Sequence, residues 1–155
     1  MTEVSRVAEA PPEAVFAVLA DGWSYAGWVV GASHIRSVDP GWPSAGSRIH
    51  HSVGSWPLLL QDVTRVTTVE QDVSISLEAR ALPLGAAEVR ITLDPRDGGR
   101  TLITMVEYVV RGPGKLLPTA IQALVLGPRN LESLARLAAM AEGLHAGTKR
   151  GIQPS

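Results

Sequence analysis

The residues of this sequence best suited to acid–base chemistry are the neighbouring histidines His50 and His51 and the carboxylates Asp62 and Glu107. Imidazole titrates near neutral pH, so a histidine can take up or return a proton under ordinary conditions. On a strand, neighbours point to opposite faces, so only one of the two histidines can serve an interior site. The alternation of apolar residues assigns His51 inward. Asp62 falls on an apolar face, where an unpaired charge is costly. It is expected on the strand beside His51, offset by one inward position. Such a pair reads equally as a proton relay that fixes the imidazole tautomer and as a buried pair that fixes strand register. Glu107 joins them under one of two registers of the last strand. One histidine and two carboxylates on separate strands make a poor metal set, so no metal is expected.

Aromatic residues are few: four tryptophans, two tyrosines and one phenylalanine. Trp23 and Trp28 flank a short helical segment, and Trp42 and Trp56 sit in turns. Trp28 and Trp56 are candidates to grip a flat apolar guest. Trp42 reads as a loop anchor. Tyr25 and Tyr108 are either hydroxyl donors or packing residues.

The elements that would position these groups follow from patterning. A first strand at 4–8 precedes Pro11-Pro12, and Pro12 suits the first turn of a helix over 12–20. Ala14, Val15, Val18 and Leu19 form its apolar stripe, and Asp21-Gly22 ends it. A short helix capped by Ser24 spans 24–28. Strands follow at 35–39, 48–53, 58–68, 73–81, 87–93 and 101–110. Opposite charges set one register: Arg80 faces Glu88 and Glu78 faces Arg90, with a three-residue turn at 83–85. Ala79 then faces Val89, Leu77 faces Ile91, and Ile75 faces Leu93 on the apolar side. A loop at 69–72 places Val66 opposite Ile75 and Thr64 opposite Leu77. A loop at 54–57 places His51 opposite Leu60 and Ile49 opposite Asp62.

For the last strand, a two-residue turn at 97–98 sends Leu102, Thr104, Val106 and Tyr108 inward. A three-residue turn at 97–99 sends Ile103, Met105, Glu107 and Val109 inward, and Gly99 favours it. A terminal helix over 119–142 carries a stripe of Leu117, Ile121, Leu124, Leu131, Leu134 and Ala138, with a kink expected at Pro128. Residues 145–155 read as a disordered tail.

A long strand-rich stretch between two helices implies an α+β fold: a curved antiparallel sheet wrapped around one long C-terminal helix, with an apolar space between them. The predicted wall of that space is Leu60, Leu77, Ala79, Val89, Ile91 and Met105 from the sheet. Leu117, Ile121 and Leu124 contribute from the helix side, with Trp28, Trp56 and Tyr108 near its opening.

Composition narrows the function. The chain has 155 residues, 45% of them apolar, and a net charge of −1, as expected for one domain of ordinary core size. Charges of both signs are scattered, so nucleic acid is not an expected partner. No apolar run approaches the roughly 20 residues of a membrane span, and no secretory leader is recognised, which fits a cytoplasmic location. Cysteine is absent, which excludes disulfides and thiolate chemistry.

Residues 10–21, the Tyr25-Ala26-Gly27-Trp28 segment, Gly46-Ser47-Arg48 opening a strand, and Gly112-Pro113-Gly114 before the last helix occur in an order that resembles the START-related SRPBCC superfamily. That group includes polyketide cyclases and dehydrases, aromatase/cyclases and lipid-transfer domains. The resemblance covers about residues 2–142. It implies a helix-grip fold, a ligand-binding domain over residues 1–143, and a small hydrophobic ligand. No nucleophile motif or cofactor signature carries over, so no cofactor is expected. Three readings stay open: a binder or carrier of a lipid, aromatic or polyketide-like molecule; a cyclase or dehydrase using His51, Asp62 and Glu107; and a protein-interaction module. Oligomeric state is not specified by the sequence.

Overall fold

Alternating apolar and polar side chains build seven strands: β1 (Thr2–Ala8), β2 (Ala32–Val38), β3 (Arg48–Val53), β4 (Leu60–Glu70), β5 (Ser74–Ala81), β6 (Gly85–Arg96) and β7 (Arg100–Arg111). They form one antiparallel sheet in the order β1-β7-β6-β5-β4-β3-β2. The computed structural model describes residues 1–53, 60–81 and 85–152. Register shifts at Ile35/Ser37, Val66/Thr68 and Ala86/Ala87 bend the strands, so the sheet curls. Two helices, α1 (Pro12–Ala20) and α2 (Tyr25–Trp28), precede β2, and a long helix α3 (Thr119–Ile152) closes the chain. Helix α3 packs against β1, α1 and α2. This is the α+β helix-grip arrangement expected from the sequence.

The start of the chain follows the expected chemistry with one exception. Pro12 opens α1, whose Val15, Phe16, Val18 and Leu19 are buried. Ser24 does not cap α2. Asp21 holds that turn instead, accepting from the Trp23 N–H at 3.2 Å and the Ser24 hydroxyl at 2.8 Å. The Trp42 indole N–H donates to the Leu19 carbonyl at 3.0 Å, anchoring its turn to α1.

Three hairpins pair two residues away from their expected register, β4–β5 doing so up to its bulge at Val66/Thr68. In β5–β6, Ile75 faces Ile91, Leu77 faces Val89, and Ala79 faces Ala87. The connection is residues 82–84, and Gly85 lies inside β6 opposite Ala81. Glycine is required there because φ is +117° and a Cβ would run into the Arg111 carbonyl oxygen. The charge argument fails at this hairpin. Glu78 faces Glu88, and its countercharges are Arg65 at 3.5 Å and Arg111 at 2.7 Å. In β3–β4, His51 faces Asp62 and Ile49 faces Thr64, because the connection is residues 54–59. At β4–β5, Val66 faces Leu77. A slip of two keeps each side chain on its face. Ile49, Val66, Ile75, Leu77, Ile91 and Leu93 are therefore buried as expected.

The β6–β7 turn uses three residues, with Gly98 at φ +79° and Gly99 at φ +70° between the paired Arg96 and Arg100. Ile103, Met105 and Glu107 consequently point inward, and Tyr108 points outward, 44% exposed. Tyr108 is thus corrected from a cavity residue to an outer-face residue.

Helix α3 corrects the sequence reading most. Its buried side is Leu126, Asn130, Ser133, Leu134, Leu137, Ala138 and Ala141, a three-and-four spacing. Ile121 and Leu124 are exposed on the other side, and Leu131 is half exposed. Leu117 precedes the helix in extended backbone and joins a small cluster with Ala87, Leu126 and Val109. The expected stripe holds at Leu134 and Ala138 and fails toward its start, because Leu117 lies ahead of the helix and does not share its phase. Pro128 lies within α3 without ending it, and the helix continues through Ile152, so residues 145–152 are helical rather than a disordered tail.

The main core joins Leu134, Leu137, Ala138 and Ala141 of α3 to Val15 and Leu19 of α1 and to the inward face of the sheet. Each fully buried aliphatic side chain contributes about 1.5–3 kcal/mol.

Candidate functional site

A cavity of about 250 Å³, partly open to solvent, lies where α3 leaves the main core. Its apolar wall is Trp28 from α2, Leu77 and Ala79 from β5, Val89 from β6 and Met105 from β7. The strand residues reach it because they are alternate, inward positions of three adjacent strands. Residues 29–32 form part of the rim, and Arg129, Asn130 and Ser133 supply the α3 side. The Val30 N–H donates to Ser133 Oγ at 3.1 Å, which ties the rim to α3.

Two polar clusters interrupt this apolar lining. In the first, His51 Nε2 and Thr64 Oγ1 are 2.7 Å apart, and Thr64 Oγ1 and the Tyr25 hydroxyl are 3.1 Å apart. Thr64 has one proton to give and two lone pairs, so it can donate to at most one of these neighbours. The Tyr25 ring packs edge-on against Trp28 at 5.5 Å and tilts over the His51 ring at 5.3 Å. Burial pushes the Tyr25 pKa up to about 12, keeping the phenol protonated. Burial also lowers the His51 pKa, against the pull of Asp62, so the imidazole is neutral. His51 Nδ1 has the Ser52 backbone beside it but no partner in good hydrogen-bond geometry among the described residues.

The second cluster is ionic. Glu107 is 1% exposed, and Arg129 Nη2 donates to its two oxygens at 2.6 and 2.9 Å. Asn130 Nδ2 donates to Oε2 at 2.7 Å, and Arg129 Nε reaches Asn130 Oδ1 at 3.3 Å. A carboxylate this deep requires such partners.

Of the residues singled out from sequence, His51, Glu107, Trp28, Leu77, Ala79, Val89 and Met105 line the cavity. Ile91 lies in the packed core and does not border it. Asp62 faces His51 across the β3–β4 pair but borders a second cavity, of about 360 Å³, with Glu78, Arg111 and Gly112. The trio His51, Asp62 and Glu107 is therefore not one constellation: His51 bonds Thr64, and Glu107 bonds Arg129 and Asn130. Among the described residues no three His, Asp or Glu side chains converge as a metal site. Ile121, Leu124 and Tyr108 are exposed and Leu117 is in the small cluster, so these four do not form the wall. Trp56 lies outside the described residues, and Leu60 is described only as the strand partner of Val53.

Arg129, Asn130 and Ser133 escaped the sequence reading, and Thr64 was placed inward but given no role. A signal for the helix residues existed. Stepping back from Leu137 and Ala141 by threes and fours lands on Leu134, Ser133, Asn130 and Leu126, and on a buried carboxylate's missing partner at Arg129.

Among the described residues no helix is long and apolar enough to cross a membrane. No curated protein matches the chain significantly. Solved structures do match. Protein CV1439 of Chromobacterium violaceum is 22% identical with a TM-score of 0.65, covering 90% of this chain and 96% of its own. Protein NE0264 of Nitrosomonas europaea is 15% identical with a TM-score of 0.68, covering 93% and 95%. The Zhui aromatase/cyclase of Streptomyces sp. R1128 is 18% identical with a TM-score of 0.65, covering 91% and 92%. At these identities the likeness establishes the helix-grip fold. The family model described as "Polyketide cyclase / dehydrase and lipid transport" matches residues 1–142, nearly the whole chain, and the protein accordingly belongs to that family within the SRPBCC superfamily.

Proposed function

We propose that this protein reversibly binds a small, mainly apolar molecule in the cavity between α3 and the sheet. The observation that carries this reading is an apolar-walled space of about 250 Å³ with two polar clusters set into it. Desolvating apolar surface contributes roughly 25 cal/mol per Å², less the costs of association and ordering. The polar clusters orient the guest by its oxygen-bearing end. Extraction of the purified protein under denaturing conditions, followed by mass spectrometry, tests this, together with displacement of an uncharged naphthalene fluorophore. Binding is expected in the wild type and is expected to vanish in Val89→Trp, which fills the space while the circular dichroism spectrum stays folded. A wild type that retains and binds no apolar compound overturns the proposal.

A second reading is a cyclase or dehydrase, favoured by His51 at the cavity wall, whose pKa burial lowers so that the imidazole is available to accept a proton. The family description and the Zhui neighbour's aromatase/cyclase name support it. His51→Gln separates the two: lost turnover of a poly-β-ketone with retained binding indicates the enzyme, and unchanged behaviour on both counts removes it. The interaction-module reading would require a cavity closed to guests and a concentration-dependent mass in solution.

A further inference from the structure

We infer that the cavity accepts compact, uncharged guests bearing a carbonyl, phenol or alcohol oxygen and rejects carboxylates of the same size, with Glu107 as the residue that sets the choice. The inference rests on the ligand-binding reading and adds the chemical class of the guest.

An arginine at the polar end of an apolar cavity would ordinarily trap an anion, because a guanidinium pairs with carboxylates in register. Here the position is already taken. Arg129 Nη2 is held by both oxygens of Glu107, and Asn130 donates to the same carboxylate. Glu107 is 1% exposed, so this carboxylate is a built-in occupant and not a surface neighbour. The cluster's formal charge is zero. An incoming carboxylate would lose its water, find no spare positive charge, and lie against a like charge.

An uncharged oxygen meets no such penalty. Arg129 Nη1 makes no hydrogen bond among the described residues, and the side chain is 27% exposed at the cavity edge. It can donate to a neutral oxygen without disturbing the Glu107 pair. The other polar cluster adds no cation: in the Tyr25–Thr64–His51 chain burial keeps the phenol protonated and lowers the imidazole pKa. Asp62 borders the second cavity and not this one. Size narrows the class again. A volume of 250 Å³ lies below the roughly 300–1,000 Å³ of common small-molecule sites. One or two fused rings fit, and a diacyl lipid does not.

The test compares 2-naphthol, uncharged near neutral pH, with 2-naphthoate, its carboxylate counterpart, by calorimetry on wild type and Glu107→Gln. The substitution keeps an oxygen for Arg129 but frees its charge. Wild type is expected to bind naphthol at least roughly tenfold tighter than naphthoate, and Glu107→Gln to shift that ratio toward naphthoate by roughly tenfold or more. If wild type binds naphthoate as well as naphthol, or the variant leaves the ratio unchanged, the charge-selection inference fails while ligand binding stands. If wild type binds neither probe, the ligand-binding reading fails for compact guests and the inference falls with it. Should Glu107→Gln not fold, the wild-type ratio alone decides.

Discussion

The two polar clusters of the cavity answer the same problem, a buried polar group in an apolar wall, in opposite ways. Tyr25, Thr64 and His51 stay uncharged: burial raises one pKa and lowers another, and a single hydroxyl bridges them. Glu107, Arg129 and Asn130 keep their charges and satisfy them against each other. The neutral chain is inexpensive to bury and easy to perturb. The ionic cluster is costly to assemble and costlier to break in half, because a lone buried charge has nowhere to discharge its field. A site with both has a rigid end and a soft end.

The largest expected effect breaks the rigid end. Arg129→Leu leaves the Glu107 carboxylate buried with Asn130 alone and is expected to cost about 3–5 kcal/mol in urea unfolding. Replacing both residues, Glu107→Leu with Arg129→Leu, is expected to cost less than the single change, since no orphaned charge remains. A double variant that is less stable than Arg129→Leu would show that the pair is not the self-contained unit described above. The soft end should yield less. Thr64→Val removes the bridge and strands two buried polar groups, at an expected cost of about 1–3 kcal/mol. Tyr25→Phe leaves the His51–Thr64 bond in place and is expected to cost only about 0.5–1.5 kcal/mol. Equal losses for the two would mean that Thr64 is not the junction.

The smallest effect is a pH dependence. His51 has its folded-state pKa below the ordinary value of 6.5. The unfolded chain therefore binds this proton more readily than the folded one. The associated stability is complete above about pH 6.5 and is lost as pH falls toward the folded-state pKa. His51→Gln is expected to flatten the stability–pH curve in that window. A curve of unchanged slope there would assign the titration to another group.

The same contrast explains what was legible in the sequence. The sheet is readable because its faces depend on a period of two, and the errors at β3–β4, β4–β5 and β5–β6 are slips of two, which preserve the faces. Ile75, Leu77 and Ile91 are inward under either register. What misled the register was the charge pattern. Surface pairs are worth little, so Glu78 accepts Arg65 and Arg111 in place of Arg90 without penalty. Gly85 looked like a turn residue but is needed for its close approach to Arg111. The neutral cluster was half visible, since His51 and Thr64 sit on alternating strands. The ionic cluster was visible only as Glu107. Its partners lie on α3, and their phase is hidden by Leu117, which precedes the helix, and by Ile121 and Leu124, apolar residues that are exposed. Apolar content alone does not mark a buried helix face when the true face carries Asn130 and Ser133.

The bond from the Val30 N–H to Ser133 Oγ has a mechanical consequence. Ser133 lies one turn beyond Arg129 on α3, so the residue that ties down the rim and the residue that neutralises Glu107 share one stretch of helix.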